Sequence, residues 1–245
     1  MRALVFGASA GIGRALAREL AAAGYDLTLL ARDERDLRAE AAHCTTVHGI
    51  TVNSIAVDAA DPEAMSHLIE NYLRDSRHRF RVLAFVVGGA IEPDDLTSDT
   101  RAIKASVDAN LTSIMCATRL LLPQLEPGIR NTVVGFGSIA AARGRSQNVA
   151  YSAAKRGLKS FFESLRHATA ENNVIVQFYQ LGYVATQQSY GKVLALPVVS
   201  PGRVAKQVAT SLAVDFGSRY VPGYWALIVF CLRRAPWVVF KRLRF

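Results

Sequence analysis

The chain has 245 residues, of which 51% are hydrophobic and 20% are charged. This length suffices for one α/β domain with a large core, and the composition excludes a disordered protein. The formal net charge of +9 would suit nucleic acid or an anionic membrane as a partner. However, six of the nine excess charges lie in the last 28 residues, which contain no Asp or Glu. The excess charge is therefore mainly a property of the C-terminal tail.

The cysteines and histidines indicate neither a disulfide framework nor a metal site. The three cysteines are far apart and form no C-x-x-C, and the five histidines lack the spacing of metal ligands. The chain opens directly on a predicted strand, and no apolar run reaches the roughly 18 residues of a membrane-spanning helix. We therefore expect no signal peptide, no metal and a cytoplasmic location.

Short apolar runs alternate with segments of helical periodicity. Strands are predicted at residues 3–6, 27–30, 51–57, 82–87, 132–136 and 174–179, and helices at 13–23, 33–42, from Pro62, 100–122 and 150–170. This alternation is typical of βαβ units. It predicts an α/β, Rossmann-like, doubly wound parallel sheet of about seven strands with helices on both faces. We assign residues 1–217 to this domain and 218–245 to a tail.

A glycine cluster follows the first predicted strand and opens the first helix. Glycines in this turn let the backbone approach a pyrophosphate, whose charge the helix N-terminus favours. Because ligands bind beyond the carboxyl ends of the strands in such sheets, the cluster predicts a dinucleotide site. The candidate contacts are Gly7, Ser9, Ala10, Gly11, Ile12 and Gly13.

The end of the second predicted strand indicates which dinucleotide is bound. NAD-selecting proteins usually place an acid here for the ribose 2′-OH, whereas an arginine suits a 2′-phosphate. Arg32 follows Ala31, and the first acid, Asp33, is a predicted helix N-cap. The sequence therefore favours NADP(H) over NAD(H), with a solvated surface charge as the alternative role of Arg32.

Three side chains could perform chemistry beside that cofactor. Tyr151 and Lys155 lie four residues apart on one helical face, and an ammonium group near a phenol lowers its pKa from about 10 toward neutrality. Ser138 follows the fifth strand, where its hydroxyl could orient a substrate oxygen. The combination predicts acid–base chemistry at a carbonyl or an alcohol.

With the glycine cluster and Arg32, these residues resemble the short-chain dehydrogenase/reductase family, in its short single-domain branch, over about residues 2–215. The three residues between Gly7 and Gly11 match the spacing of that branch. The resemblance implies a tetrad in which Tyr151 is the general acid/base and Ser138 holds the reacting oxygen. Lys155 would bind the nicotinamide ribose and lower the tyrosine pKa, and Asn110 would anchor a water for proton relay.

The resemblance also implies cofactor contacts at the ends of the later strands, with Asp58 contacting the adenine. Besides Tyr151 and Lys155, these are Asp58, Ala59, Gly88, Gly89, Gly182, Val184 and Thr186. The sequence departs from the family pattern at Phe6, where threonine is frequent, and at Leu181, where proline is usual. Residues 87–90 replace Asn-Asn-Ala-Gly, so side-chain hydrogen bonds of that turn are lost.

The sequence predicts the substrate less specifically than the cofactor. Candidate lining residues are Ile91, Ile139, Arg143, Gln147, Tyr183 and Tyr190, with residues 187–199 as a lid. The apolar side chains of that segment suit a partly apolar substrate, but they could equally cover the core.

The tail offers a further indication. Apolar segments with tryptophans at 225–232 and 236–240 are each followed by basic residues, a pattern that suits helices lying in a membrane interface. The alternatives are packing on the domain, across a subunit interface or over the lid. The pattern is similar to that of decaprenylphosphoryl-2-keto-ribose reductases within the family. A lipid-linked keto-substrate therefore competes with a soluble keto-sugar, a polyol or a small ketone.

We therefore predict an NADP(H)-dependent ketoreductase that interconverts a carbonyl and a secondary alcohol. A homodimer or homotetramer is expected, in the cytoplasm or at the inner membrane face. The alternative is a non-catalytic NADP(H)-binding sensor or scaffold, which would explain the altered positions at 87–90 and Leu181 but not the intact tetrad. No nucleic-acid-binding module is recognisable, so we expect no nucleic acid partner.

Overall fold

The computed structural model describes residues 1–74, 79–89, 93–186 and 196–242. Seven strands form one parallel sheet in the order β3-β2-β1-β4-β5-β6-β7. The chain thus builds outward from β1 in one direction and from β4 in the other, which leaves a crevice beyond the carboxyl ends of β1 and β4. The strands are β1 (Arg2–Phe6), β2 (Asp26–Ala31), β3 (Val52–Ala56), β4 (Val82–Phe85), β5 (Asn131–Ser138), β6 (Val174–Leu181) and β7 (Ser218–Val221).

The connections between strands are mainly helical. The helices are α1 (Gly11–Ala22), α2 (Glu34–His48), α3 (Pro62–Leu68), α4 (Thr100–Val107), α5 (Ser113–Leu121), α6 (Val149–Ala168), α7 (Pro201–Ser211), α8 (Trp225–Arg234) and α9 (Trp237–Phe240). A single π-helical turn at Asp108–Thr112 separates α4 from α5, so the predicted helix at 100–122 is divided. Such π-turns occur frequently at functional sites.

The two faces of the sheet carry two separate apolar clusters. Leu16 of α1 and Val204 of α7 belong to the cluster on one face, and Ile114 of α5 and Phe162 of α6 to that on the other. Alternation along the strands supplies both clusters, because successive side chains point to opposite faces. The predicted doubly wound architecture is therefore confirmed. Among the described residues, no helix is long and apolar enough to cross a membrane.

Two boundaries differ from the sequence prediction. The sheet extends beyond residue 217, where we placed the start of the tail, because β7 pairs with β6 at residues 218–221. This four-residue strand is half-exposed and carries Arg219, so its pattern is not that of a buried strand. Helix α2 runs to His48 and not to residue 42, because Gly49 in a left-handed conformation ends it.

A buried carboxylate joins α1 to α2. Arg18 donates to both oxygens of Glu40 at 2.7 Å, and the Glu40 side chain is only 2% exposed. The Cys44 thiol lies 3.6 Å from the same carboxylate. Burial, with Glu40 as the second cause, raises the pKa of that thiol to about 12, so it stays protonated.

We expect Arg18→Met to lower the free energy of unfolding by about 2–4 kcal/mol, because Glu40 would keep its burial and lose its bidentate partner. Arg38→Met is the matched control, since Arg38 pairs with Glu34 on the same helix and both side chains are mostly exposed. That change should cost less than about 0.5 kcal/mol. Denaturant unfolding measures both, and equal losses would show that burial of Glu40 does not matter.

Candidate active site

The turn after β1 leads into a helix N-terminus that has no side-chain cap. Helix α1 begins at Gly11, and the preceding Ala10 has an extended backbone and offers no side-chain cap. No acidic side chain lies in the first helical turn, so the positive end of the helix dipole stays available to an anion. A Cβ atom on Gly13 would lie 1.9 Å from the Gly7 carbonyl oxygen, so the turn can close only around glycine.

Arg14, which the sequence analysis did not single out, secures this turn. Its guanidinium donates to the Ser9 carbonyl and, at 2.8 Å, to Asp36 on α2. Ile12 is buried beneath the turn. The glycine segment is therefore held by the Arg14 contacts and by the burial of Ile12. The presence of a basic residue in the first turn of a helix does not by itself predict such contacts.

Predicted cofactor residues that follow β6 lie beside the same turn. The Thr186 Cγ2 atom would be 3.3 Å from a Cβ on Gly11. Val184 forms an isolated β-bridge with Val199, and the Gly182 N–H donates to the Val221 carbonyl at 2.9 Å. The segment after β6 therefore faces the N-terminus of α1, as a shared ligand site requires.

Arg32 and Asp58 lie at the ends of the neighbouring strands β2 and β3. Both side chains are exposed, and one Asp58 oxygen accepts from the Ala60 N–H at 2.9 Å. Ala59 is buried, and its carbonyl accepts from the Ser113 hydroxyl at 2.6 Å. A cation and an acid thus stand at one edge of the sheet, at the same end as the glycine turn.

The amine of Lys155 lies at the centre of the site. It donates to the carbonyl oxygens of Val87 at 2.9 Å and Phe136 at 3.2 Å, and the residue is only 3% exposed. Burial lowers the pKa of Lys155 from 10.5 to about 7. The group can therefore exchange a proton near neutral pH.

Asn110 lies in the π-helical turn and faces the same loop. Its amide donates to the Ser106 carbonyl at 2.8 Å and to the Gly89 carbonyl at 2.9 Å. Its Oδ1 atom is buried without a hydrogen-bond partner among the described residues. A Cβ on Gly88 would lie 2.6 Å from the Lys155 amine and 2.7 Å from that Oδ1 atom, so only glycine fits between them.

Tyr151 and Ser138 complete the cluster. The Tyr151 phenol lies near the Ser138 hydroxyl, which ends β5 and accepts from the Ala140 N–H at 3.1 Å. Burial raises the pKa of Tyr151, and the Ser138 hydroxyl partly opposes that rise. The Lys155 amine is 5.9 Å from the centre of the Tyr151 ring. All four predicted tetrad side chains therefore converge on the carboxyl ends of β4 and β5.

Asp94 positions Tyr151, and the sequence analysis missed it. Its buried carboxylate accepts from the Ala150 N–H at 2.8 Å and from the Tyr151 N–H at 3.0 Å. Asn148, which precedes α6, adopts a left-handed conformation and provides no side-chain cap. An acid far away in sequence therefore satisfies the first turn of the helix that carries the tyrosine and the lysine.

The predicted substrate residues are less uniform. Ile139 is half-buried directly after Ser138, Gln147 is exposed, and the Tyr183 ring meets Trp225 edge-on at 5.2 Å. Arg143 has a different contact, since it donates to tail carbonyls at Leu232 and Ala235. Ile91, Tyr190 and most of the predicted lid lie outside the described residues. Arg145, which the sequence analysis did not name, has a pKa lowered by burial, opposed by Tyr183.

The parallel sheet, the glycine turn after β1 and the Ser–Tyr–Lys cluster beside it define a Rossmann-fold protein of the dehydrogenase class. The family model for short chain dehydrogenases matches residues 1–193. The chain therefore belongs to the short-chain dehydrogenase family. Among the described residues, no group of His, Cys, Asp and Glu could hold a metal ion.

Two relatives illustrate the family's range. An uncharacterized oxidoreductase of Mycobacterium tuberculosis is 31% identical over 246 residues, covering 98% of this chain and 96% of the relative. A 3-oxoacyl-[acyl-carrier-protein] reductase of Bos taurus is 29% identical over 188 residues, covering 76% of each.

Two solved structures share the fold at low sequence identity. A short-chain dehydrogenase from Sphingobium yanoikuyae in complex with NADPH superposes with a TM-score of 0.82 and 20% identity, covering 100% of this chain and 96% of the other. One from Burkholderia cenocepacia in complex with NADP has a TM-score of 0.77 and 23% identity, covering 89% and 94%.

We expect Asp94→Ala to lower the free energy of unfolding by about 1–2 kcal/mol and to loosen the first turn of α6, because two N–H groups lose their acceptor. Asp99→Ala is the matched control, since Asp99 caps α4 through the Arg101 N–H at 3.1 Å. Hydrogen exchange followed by mass spectrometry should show faster exchange at residues 149–152 only in Asp94→Ala. Equal exchange there in both variants would rule out a positioning role for Asp94.

Proposed function

We propose that the protein is an NADP(H)-dependent oxidoreductase that interconverts a carbonyl compound and a secondary alcohol. The observation that carries the proposal is the convergence of the Tyr151 phenol and the Ser138 hydroxyl beside the buried Lys155 amine, at the sheet edge that holds the glycine turn. Membership of the short-chain dehydrogenase family supports it.

The residues present fit a dinucleotide. The uncapped N-terminus of α1 suits a pyrophosphate, and the exposed Arg32 at the end of β2 suits a 2′-phosphate. Asp58 would contact the adenine, and Lys155 the nicotinamide ribose. The NADP(H)-bound structures of the same fold support this choice. When bound, the nicotinamide would supply or accept the hydride.

The chain's own side chains would handle the proton. In reduction the Tyr151 hydroxyl would donate its proton to the carbonyl oxygen, while Ser138 donates a hydrogen bond to the same oxygen. In oxidation Tyr151 would accept the proton. A protonated Lys155 would stabilise the phenolate that forms and so lower the tyrosine pKa. The Oδ1 atom of Asn110, which has no partner in the described part of the chain, would accept a hydrogen bond from a water molecule that resupplies the proton.

We propose that the enzyme is a ketoreductase and that its substrate is sugar-like, a polyol or lipid-linked. The bovine relative is named a 3-oxoacyl-[acyl-carrier-protein] reductase, and a 3-oxoacyl group contains a ketone. Tyr183 and the half-buried Ile139 would contact the substrate near the reacting carbon. Assembly as a homodimer or homotetramer remains a prediction.

The non-catalytic alternative would explain the altered positions at residues 87–90 and Leu181, and the structure describes the contacts of the first of these up to residue 89. In the structure, the Lys155 amine bonds the backbone carbonyl of Val87, and the Asn110 amide bonds that of Gly89. The loop thus contacts Lys155 and Asn110, two of the four tetrad residues, without the usual asparagine side chains. The departure therefore gives no specific support to a sensor or scaffold.

We expect Tyr151→Phe to lower turnover of a ketone substrate by about 10²- to 10⁴-fold, because the proton donor is lost. NADPH affinity should stay within about twofold. Turnover is followed as loss of NADPH absorbance, on whichever keto-sugar, polyol-derived ketone or 3-oxoacyl thioester the wild type reduces. Tyr220→Phe on β7 is the control and should be fully active. Unchanged activity of Tyr151→Phe would exclude the assigned acid/base.

We expect Arg32→Ala to weaken NADPH binding by about 10- to 100-fold, because a charge-assisted bond to the 2′-phosphate is lost. NADH binding should change by less than about twofold. Nucleotide fluorescence titration measures both, with Arg38→Ala as the control for a general loss of positive charge on α2. Equal weakening of both nucleotides would mean that Arg32 does not read the 2′-phosphate.

A further inference from the structure

The C-terminal helices have one side on the domain and one side in solvent. Trp225 and Val229 are buried on one face of α8, and Phe240 of α9 is buried as well. The remaining apolar side chains point away, with Leu227 at 69% exposure and Trp237 at 66%. We call this outward set the tail surface, and it consists of Leu227, Phe230, Trp237, Val238 and Val239.

The tail surface is a local concentration of exposed apolar side chains. Of fourteen large apolar residues that are exposed among the described residues, six lie between Tyr224 and Val239, and the other eight are scattered from Met1 to Val214. Scattered exposed apolar residues are ordinary, but a cluster marks an interaction site. The tail surface therefore calls for a partner.

The side of α8 and α9 opposite the tail surface is bound to the domain, so the exposure of the tail surface does not result from a detached tail. Arg143 donates to the carbonyls of Leu232 at 2.8 Å and Ala235 at 2.5 Å, and its guanidinium lies 3.9 Å from the centre of the Phe240 ring. Arg233 donates to the Ala142 carbonyl at 3.3 Å. These contacts satisfy the end of α8 and fix which side chains face outward.

The charged side chains of the tail are all of one sign. The Arg234 guanidinium lies 3.8 Å from the centre of the Phe230 ring, and Lys241 and Arg242 directly follow α9. Residues 218–245 contain no carboxylate side chain. A second copy docked through the same surface about a two-fold axis would bring these cations against each other. An anionic surface complements them and needs no specific pattern of donors and acceptors.

We propose that the tail surface, with Arg234, Lys241 and Arg242, binds the surface of an anionic lipid bilayer. Helix α8 has ten residues, about 15 Å in length, and would lie in the interface with tryptophan and phenylalanine among the headgroups. The basic side chains would extend to lipid phosphates, each strengthening binding about fivefold.

Bilayer binding would bring the active site to the lipid. The tail is attached to the two segments that bear on the site, since Arg143 follows Ser138 closely and Trp225 packs on Tyr183. If the proposed function holds, on which this step rests, the carbonyl substrate is an amphiphile taken from the membrane surface. Bilayer binding itself does not depend on catalysis and is measured separately.

The test is sedimentation of the full-length protein with vesicles of phosphatidylcholine alone or mixed with phosphatidylglycerol. We expect binding to the anionic vesicles, weakened by salt, and at least tenfold weaker binding to neutral ones. Val239→Glu should weaken binding at least tenfold, whereas Val47→Glu on α2, at a similarly exposed valine, should leave it unchanged. Lys241→Gln and Arg242→Gln should each weaken it about fivefold.

The chain's two tryptophans give a second readout, because Trp237 is exposed and Trp225 is buried. Anionic vesicles should shift the emission to shorter wavelength, and Trp237→Phe should abolish the shift while leaving sedimentation nearly unchanged. Failure to sediment, or equal binding by Val239→Glu and the wild type, would overturn the proposal. So would shielding of Trp237 by protein dimerisation in the absence of lipid. NADPH titration of the same samples shows whether the nucleotide site is intact in either outcome.

Discussion

The amine of Lys155 lies where α6 crosses the carboxyl ends of β4 and β5, and its removal from water costs free energy that its hydrogen bonds must offset. Much of the site follows from this constraint. The carbonyls of Val87 and Phe136 are turned toward the amine, and residue 88 must be glycine because a Cβ would collide with it. The π-helical turn brings Asn110 to the same point. The tetrad is therefore arranged around a buried base, with Tyr151 one helical turn before it.

The same constraint explains how the chain can depart from the family pattern without disturbing the cluster. In the loop after β4, the backbone carbonyls of Val87 and Gly89 accept hydrogen bonds from Lys155 and Asn110, and no side chain of the loop is needed for them. Backbone groups do not depend on residue type, so Val87-Gly88-Gly89 can hold Lys155 and Asn110 as long as the chain passes closely enough. Gly88 allows that close passage.

The tail extends this arrangement to the surface. Arg143, five residues after Ser138, donates to the carbonyls of Leu232 in α8 and Ala235 just after it. Trp225 of the same helix occupies the space beside Gly182. The segments after β5 and β6 are thus both in contact with α8. Helix α8 therefore contacts the segments after β5 and β6 on one side and carries part of the tail surface on the other.

The sequence by itself determined the repeating βαβ pattern, the glycine turn and the pairing of Tyr151 with Lys155. Each of these depends on residues within one element or across one turn, where spacing alone fixes the geometry. The tertiary structure decided the rest. The carboxylate of Asp94 lies 57 residues before the Tyr151 N–H that it binds, and Arg143 lies 89 residues before its acceptor at Leu232. Strand β7 was not predicted either, because its four residues, from the exposed Ser218 to the buried Val221, form a strand only when β6 provides an edge. Such contacts depend on how the sheet brings distant segments together, and no local pattern of residues encodes them.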